Sequence, residues 1–358
     1  MSYVLAFLGF AALIILHEAG HFVAAKAVGM RVERFSLFFG PLLVKFRRGE
    51  TEYGIGPIPL GGYVKITGMN PNEDIPAQAR PRAYYNQPVW KRVVVILAGP
   101  VVNLVIAFLI IWVLLLSLGQ KIPATNVAAV QRGTPAAAVL KPGDRLVSVD
   151  GRGGSETTIR DQIAIHRCAG PAVSGCQAAT PARIVLRRAG HLVTVNVRPR
   201  YVASAQRMEV GFGFGYTSVF PGPISAAGVS VSAMASVTGR TVSTIVRVFE
   251  PQVRRQLHGV VGGYESTQQS FAQSSSEALY VLALISLSLG IVNLFPFLPL
   301  DGGHIFWAVA EKVRGRRISF AVMERSGVVG FVLIIMIFFI GLSNDISQIS
   351  SGLPFAPR

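Results

Sequence analysis

The chain has 358 residues, of which 51% are hydrophobic and 15% charged, and its mean hydropathy is +0.48. So few charges exclude an ordinary soluble domain, where about 25% is usual. The apolar content excludes disorder, and two cysteines exclude a disulfide-dense scaffold. A net charge of +16 with no nucleic-acid-binding motif fits basic loops beside anionic lipid and not DNA or RNA.

Four stretches approach the roughly 20 apolar residues that a bilayer requires. They predict a polytopic α-helical membrane protein with about four transmembrane helices. The first, within residues 1–30, lacks the basic leading residues of a signal peptide, since the first Lys or Arg is Lys26. It is interrupted by His17-Glu18-Ala19-Gly20-His21. In this H-E-x-x-H pattern the two histidines stand at i and i+4 on one helix face, where neutral imidazoles reach one tetrahedral Zn²⁺. Glu18 then serves as a general base toward water and not as a ligand. The plain alternative is two histidines packed between helices. Ionisable residues inside an apolar helix are costly, however, and mark function by default.

Residues 31–90 read as a cytoplasmic-side, membrane-associated β region. Short β-prone runs occur at 32–39, 42–46, 52–55 and 63–66. Arg47-Arg48-Gly49-Glu50 forms a hairpin turn, and Pro57 and Pro59 assign their stretch to an edge. An edge beside a catalytic metal offers hydrogen-bond partners to an unwound substrate backbone. Gly54 and Gly56 are the candidate positions of that substrate strand; a plain cytoplasmic hairpin is the alternative. The second span, 91–119, carries Asn103.

Residues 120–201 have mixed polarity and β-rich ends and predict a separate domain. Residues 202–277 predict an amphipathic helix and a linker. Val231, Met234, Val242, Ile245 and Phe249 recur there every three to four residues or at multiples of that spacing, for a helix lying on the outer membrane surface or packed on the soluble domain. Ser266 to Ser276 is the Ser/Gln-rich linker. The third span, 278–312, is broken by Pro296 and Pro299 just before Asp301. Of 18 acidic residues, only Glu18 and Asp301 are read as lying within or at the edge of a span, so Asp301 is the candidate third ligand. Its alternative role is capping the helix that follows. His304 reads as a helix-start or structural residue. A basic loop, 313–325, leads to a fourth span, 326–343, whose apolar stretch at 327–342 is short enough to need flanking residues or local thinning. A tail follows at 344–358.

Lys and Arg set the orientation. Eleven fall from Lys26 to Arg92 and five between Glu311 and Arg325, against one after Leu342 and none before His17. The two basic loops are therefore expected in the cytoplasm, and both termini and residues 120–277 outside it. An oxidising exterior permits a bond between Cys168 and Cys176, which Gly-Pro and Ser-Gly turns fold back on each other. Closing so small a ring stabilises by about 2.5 kcal/mol, less any strain. Two free thiols are the alternative.

The whole pattern resembles the intramembrane site-2 protease family of zinc metalloproteases, in its regulator-of-sigma-E protease-like branch. The resemblance rests on His17-Glu18-Ala19-Gly20-His21, Gly54-Ile55-Gly56, Leu60-Gly61-Gly62-Tyr63-Val64-Lys65, Gly99-Pro100-Val101-Val102-Asn103, Asn293, Pro296 and Leu300-Asp301-Gly302-Gly303. One departure is Leu298, where the family commonly has a second proline. Gly133-Thr134-Pro135 and Leu140-Lys141-Pro142-Gly143-Asp144 to Gly151 resemble a single bacterial PDZ domain, with a closing hairpin after Arg183.

The resemblance implies zinc held by His17, His21 and Asp301, with Glu18 activating water. Asn293 and Asn103 become candidates for positioning substrate or the transition state. It implies cleavage within or near the membrane segment of single-span proteins already cut by an upstream site-1 type protease, such as anti-sigma factors or signal-peptide remnants. The location implied is the bacterial cytoplasmic membrane, with the active site toward the cytoplasm. The PDZ domain would filter substrates by ectodomain size; a passive spacer is the alternative. Two rivals from other classes are a catalytically silent PDZ scaffold and a metal transporter. The intact Glu18 and Asp301 oppose the first, and Glu18 with the PDZ-like segment opposes the second.

Overall fold

The computed structural model describes residues 2–70, 73–171, 173–254, 259, 261–264, 268 and 274–350. The chain divides into two compact units, residues 1–114 with 223–358, and residues 115–222.

In the first unit, α1 (Ser2–Ala27) leads into four strands, β1 (Val32–Phe39), β2 (Val44–Arg48), β3 (Thr51–Ile55) and β4 (Ile58–Ile66). Their order is β2-β3-β1-β4. β2 and β3 form the expected hairpin, with Gly49 at φ +63° in its turn. β3 then pairs parallel to β1, and β4 returns antiparallel on the other side of β1. Gly54 and Gly56 are therefore not at an edge. Gly54 lies in an interior strand between Val44-Phe46 and Ser36, and the Gly56 amide donates to the Leu37 carbonyl. Both edges of β3 are already paired, so the free edges of the sheet are β2 and β4.

A buried cluster of Ala25, Met30, Val32, Val64, Ile66, Tyr84, Val95 and Ile96 fastens this sheet to the end of α1 and to α2 (Val89–Leu118). At its rim Arg82 and Lys26 both hold the Glu50 carboxylate, and their hydrogen bonds bring its pKa down to about 2.

The second unit holds β5 (Gln120–Val130), β6 (Arg145–Val149), β7 (Arg152–Gly153), α3 (Glu156–Ala164), β8 (Ala182–Arg188), β9 (His191–Val197), β10 (Arg200–Val202), β11 (Arg207–Glu209) and β12 (Phe212–Val219). The main sheet runs β12-β5-β6-β8-β9, with β7 on β6. Alternation in β8, where Ala182, Ile184 and Leu186 are fully buried, turns one face onto a core with Val127, Leu146, Val149, Ile159 and Ile163. Asp144, 2% exposed, caps the Lys141 amide and pairs with Arg188, whose guanidinium holds its carboxyl below the usual carboxylate range. The expected domain end at residue 201 falls short. β12 completes the sheet by pairing along the whole of β5, so the unit runs on to Gly222.

Cys168 and Cys176 are paired in this unit, with Cα atoms 5.8 Å apart in the range a disulfide spans. The Cys176 carbonyl also accepts from the Tyr201 amide, which ties the loop to β10. We expect two thiols to become alkylatable only after reduction, and to react in intact cells with a reagent that does not cross the cytoplasmic membrane. Labelling without reductant would rule out the bond; labelling only after lysis would rule out the exterior location.

Back in the first unit, α4 (Pro223–Val246) and a short α5 (Pro251–Arg254) precede three helices, α6 (Ser275–Asn293), α7 (Asp301–Arg314) and α8 (Phe320–Ser350). Met234 and Val237 of α4 pack on Ala107, Leu287 and Ile291, so this helix lies against α2 and α6. Helix neighbours were in neither sequence expectation, and they take only part of the periodic face: Met234 is partly covered, while Val231, Val242 and Phe249 stay exposed. Most of the expected linker, 266–276, lies outside the described residues; its end is the start of α6, capped by Ser274. The fourth span is longer than expected, a 28-residue stretch, Ala321–Gln348, within α8. Its polar Asp345 is fully buried and accepts from the Gly259 and Gly262 amides, so the helix carries a carboxylate without exposing it.

Among the described residues, four helices are long and apolar enough to cross a membrane: Tyr3–Ala27, Val89–Leu118, Ser275–Asn293 and Ala321–Gln348. Large apolar side chains such as Phe7, Leu8, Val105, Leu109, Phe331 and Val332 stand exposed along them. A continuous apolar exterior of this kind requires lipid around it, and the chain is a membrane protein.

Candidate metal centre

The site is assembled from α1, α2, the end of α6 and the start of α7. One helical turn separates His17 from His21, which stacks their rings edge to face with centroids 4.9 Å apart. Both are 7% exposed. The end of α6 at Asn293 and the turns that follow let α7 begin at Asp301, whose carboxylate turns back to the histidines. Gly302 and Gly303 make that start possible. A Cβ on Gly302 would overlap the Leu294 carbonyl, and one on Gly303 the Leu298 amide.

Three atoms then face one point. His17 Nε2 and His21 Nε2 lie 3.3 Å apart, and each lies 3.3 Å from Asp301 Oδ2. This Asp301 oxygen is buried without a hydrogen-bond partner among the described residues. Three ligands each about 2.0–2.1 Å from one tetrahedral ion stand about 3.3–3.4 Å from one another. Both the spacing and the orphaned oxygen therefore fit a metal ion in contact with all three. His17, His21 and Asp301 form the one group of at least three His, Cys or carboxylate residues found among the described residues with ligand atoms so close together.

The supporting contacts fix the rings. His21 Nδ1 lies 2.9 Å from the Val95 carbonyl, an acceptor, so the proton sits on Nδ1 and Nε2 is left with its lone pair. Asn103, fully buried, stands behind His17 with its amide 3.1 Å from Nδ1, on the opposite side of the ring from Asp301. Asn293, the last residue of α6, has its amide nitrogen 3.4 Å from His17 Nε2, on the side where the three ligand atoms converge. Of the two asparagines, only Asn293 faces the three converging atoms. Gly54 and Gly56 do not join the site.

Three glycines at the site escaped the sequence reading as functional positions. A Cβ on Gly99 of α2 would overlap His21 Nε2, and a Cβ on Gly20 of α1 would stand 2.7 Å from the Ala98 carbonyl. Glycine on both helices thus lets α2 lie directly against the ligand. On the other side, a Cβ on Gly62 of β4 would overlap Glu18 Cγ. The edge strand consequently runs over the carboxylate that follows His17. All three glycines belong to motifs visible in the sequence, but a glycine signals close approach without naming what approaches.

Two imidazoles and a carboxylate thus converge, buried, between helices apolar enough to cross a membrane, a set that could hold a metal ion in a membrane protein. The profile of peptidase family M50 matches residues 5–337. A Brucella suis protein provisionally named a zinc metalloprotease is 30% identical over 93% of this chain and 92% of its own. Zinc metalloprotease Rip1 of Mycobacterium tuberculosis is 31% identical over 84% of this chain and 83% of its own, and Rip1 of Mycolicibacterium smegmatis 31% over 89% and 88%. The chain belongs to peptidase family M50, the metalloendopeptidases of the site-2 type.

Proposed function

We propose that this protein is a zinc-dependent intramembrane endopeptidase that cuts single-span membrane proteins, within or near their membrane segment, after another protease has shortened them. The observation that carries the reading is the convergence of His17, His21 and Asp301 at 3.3 Å separations between membrane-spanning helices. Zinc held there supplies Lewis acidity, which polarises a carbonyl and acidifies water. Glu18 takes the proton from the attacking water and returns it to the leaving amine. Asn293 donates to the substrate carbonyl as charge develops on it.

A transmembrane helix conceals its peptide bonds in its own hydrogen bonds, so the substrate must unwind before hydrolysis. The free edge of β4 offers new partners to the released backbone, and Gly62 brings that edge against Glu18. The substrate strand is thus assigned to β4 in place of Gly54 and Gly56. The Lys and Arg distribution supports a cytoplasmic-side site with both termini and the segment that starts at residue 120 outside.

Purified protein in lipid vesicles is expected to cut a single-span substrate, to lose that activity to a zinc chelator and to regain it with added zinc. Activity that survives complete removal of metal would refute the proposal. The second unit, which we take to be a PDZ domain, acts as a size filter. Replacing residues 120–219 by a short linker is expected to permit cutting of substrates that keep their ectodomains. Unchanged size selection by a folded, active deletion variant would place the filter elsewhere.

A further inference from the structure

The two histidines at the metal centre have different partners behind them. The Nδ1 of His21 meets the Val95 carbonyl, which can only accept. The Nδ1 of His17 meets the Asn103 side chain, which presents an NH₂ at one end and an oxygen at the other. The choice matters for metal binding. If the NH₂ faces His17, Nδ1 must accept, and the proton of the neutral ring sits on Nε2, toward Asp301 Oδ2 and His21 Nε2. A proton there occupies the lone pair that a metal needs. If the oxygen faces His17, it accepts from Nδ1–H and Nε2 is free.

Hydrogen-bond economy within the protein does not select between the two arrangements. With the NH₂ toward the ring, Asn103 Oδ1 has no partner among the described residues. With the amide reversed, the NH₂ takes that unpaired place. Asn103 is held firmly in either case. It is fully buried, and its own carbonyl accepts from Ser286 on α6. A buried amide with one unsatisfied end is costly, and its retention directly behind a ligand calls for a compensating role.

We propose that Asn103 is a positioning residue for the metal: its side-chain oxygen accepts Nδ1–H of His17 and so holds the ring in the tautomer whose Nε2 faces Asp301 and His21. The inference rests on the zinc reading above and goes beyond it, because it makes Asn103 a determinant of metal affinity and not a group that touches substrate. Partners of this kind, which orient a ligand through its second nitrogen, change metal affinity by about 10- to 100-fold.

The test is zinc affinity by chelator competition on purified full-length protein in detergent, together with the thermal stability of the metal-free form. Asn103→Asp keeps an acceptor behind His17 and loses the donor; Asn103→Leu keeps the volume and loses both. The expected result is near wild-type zinc affinity for Asn103→Asp and affinity lowered about 10- to 100-fold for Asn103→Leu. Asn103→Ala carries the same expectation as Asn103→Leu and replaces it if Leu does not fold. Wild-type affinity in Asn103→Leu or Asn103→Ala would overturn the inference. So would an equal loss in Asn103→Asp, which would mean that the donor matters or that the role is packing. Wild-type protein that binds no zinc would instead overturn the zinc reading itself.

Discussion

Substituting Gly99 by Ala is expected to empty the metal centre. The added methyl would overlap His21 Nε2, the candidate ligand atom itself. A free side chain would move aside cheaply, but this ring is held from behind by the Val95 carbonyl and stands 3.3 Å from both His17 Nε2 and Asp301 Oδ2. Either the ring swings away and zinc loses a ligand, or α2 moves off α1. The second route is resisted by the cluster that joins Val95 and Ile96 to Ala25 and Met30. Loss of one protein ligand of three should lower zinc affinity by at least the 10- to 100-fold associated with removal of a ligand's supporting partner. Metal analysis of purified Gly99→Ala should show substoichiometric zinc and cleavage reduced in proportion. Full zinc occupancy with normal cleavage would show that His21 is not a ligand.

Replacing Glu18 by Gln is expected to separate binding from chemistry. Glu18 is not among the three converging ligand atoms, so its loss removes no contact to the metal. Gln has the same shape, so it fits beneath Gly62 as Glu does, but it cannot accept a proton from water. General bases contribute about 10²- to 10⁴-fold, and the rate should fall by that much with zinc retained. The complementary variant, Gly62→Ala, displaces Glu18 without altering its chemistry. It should lower turnover and retain zinc for a different reason.

The legibility of this site in the sequence follows from how tightly chemistry restricts each residue. His17, Glu18 and His21 were recognisable because ligand and base types recur at helical spacing where an apolar span tolerates few charges. Asp301 was recognisable because Pro296 and Pro299 break the helix just before a carboxylate. Strand order was not legible. β1 pairs parallel with β3 across the intervening β2, so Gly54 became interior although its motif read as an edge. The packing of α4 was not legible either, since an apolar face at helical spacing suits lipid, a soluble domain or neighbouring helices equally well. The last span read as short because its unbroken apolar stretch stops at Leu342, whereas the helix continues through the buried Asp345. Its partners, the Gly259 and Gly262 amides, lie more than 80 residues away in the chain. The roles of Gly62 and Gly99 required coordinates, since each is defined by the side chain it leaves room for.

The central claim is hydrolysis at a zinc site within the membrane, with Glu18 as base. It is tested most directly by incubating one single-span substrate with wild type and Glu18→Gln in parallel, measuring the zinc content of both enzymes and identifying the products by mass spectrometry. The account predicts equal zinc in the two proteins, a new carboxyl terminus within or beside the membrane segment from wild type, and almost no product from Glu18→Gln. Equal cleavage by both proteins, or a cut confined to the soluble part of the substrate, would contradict it.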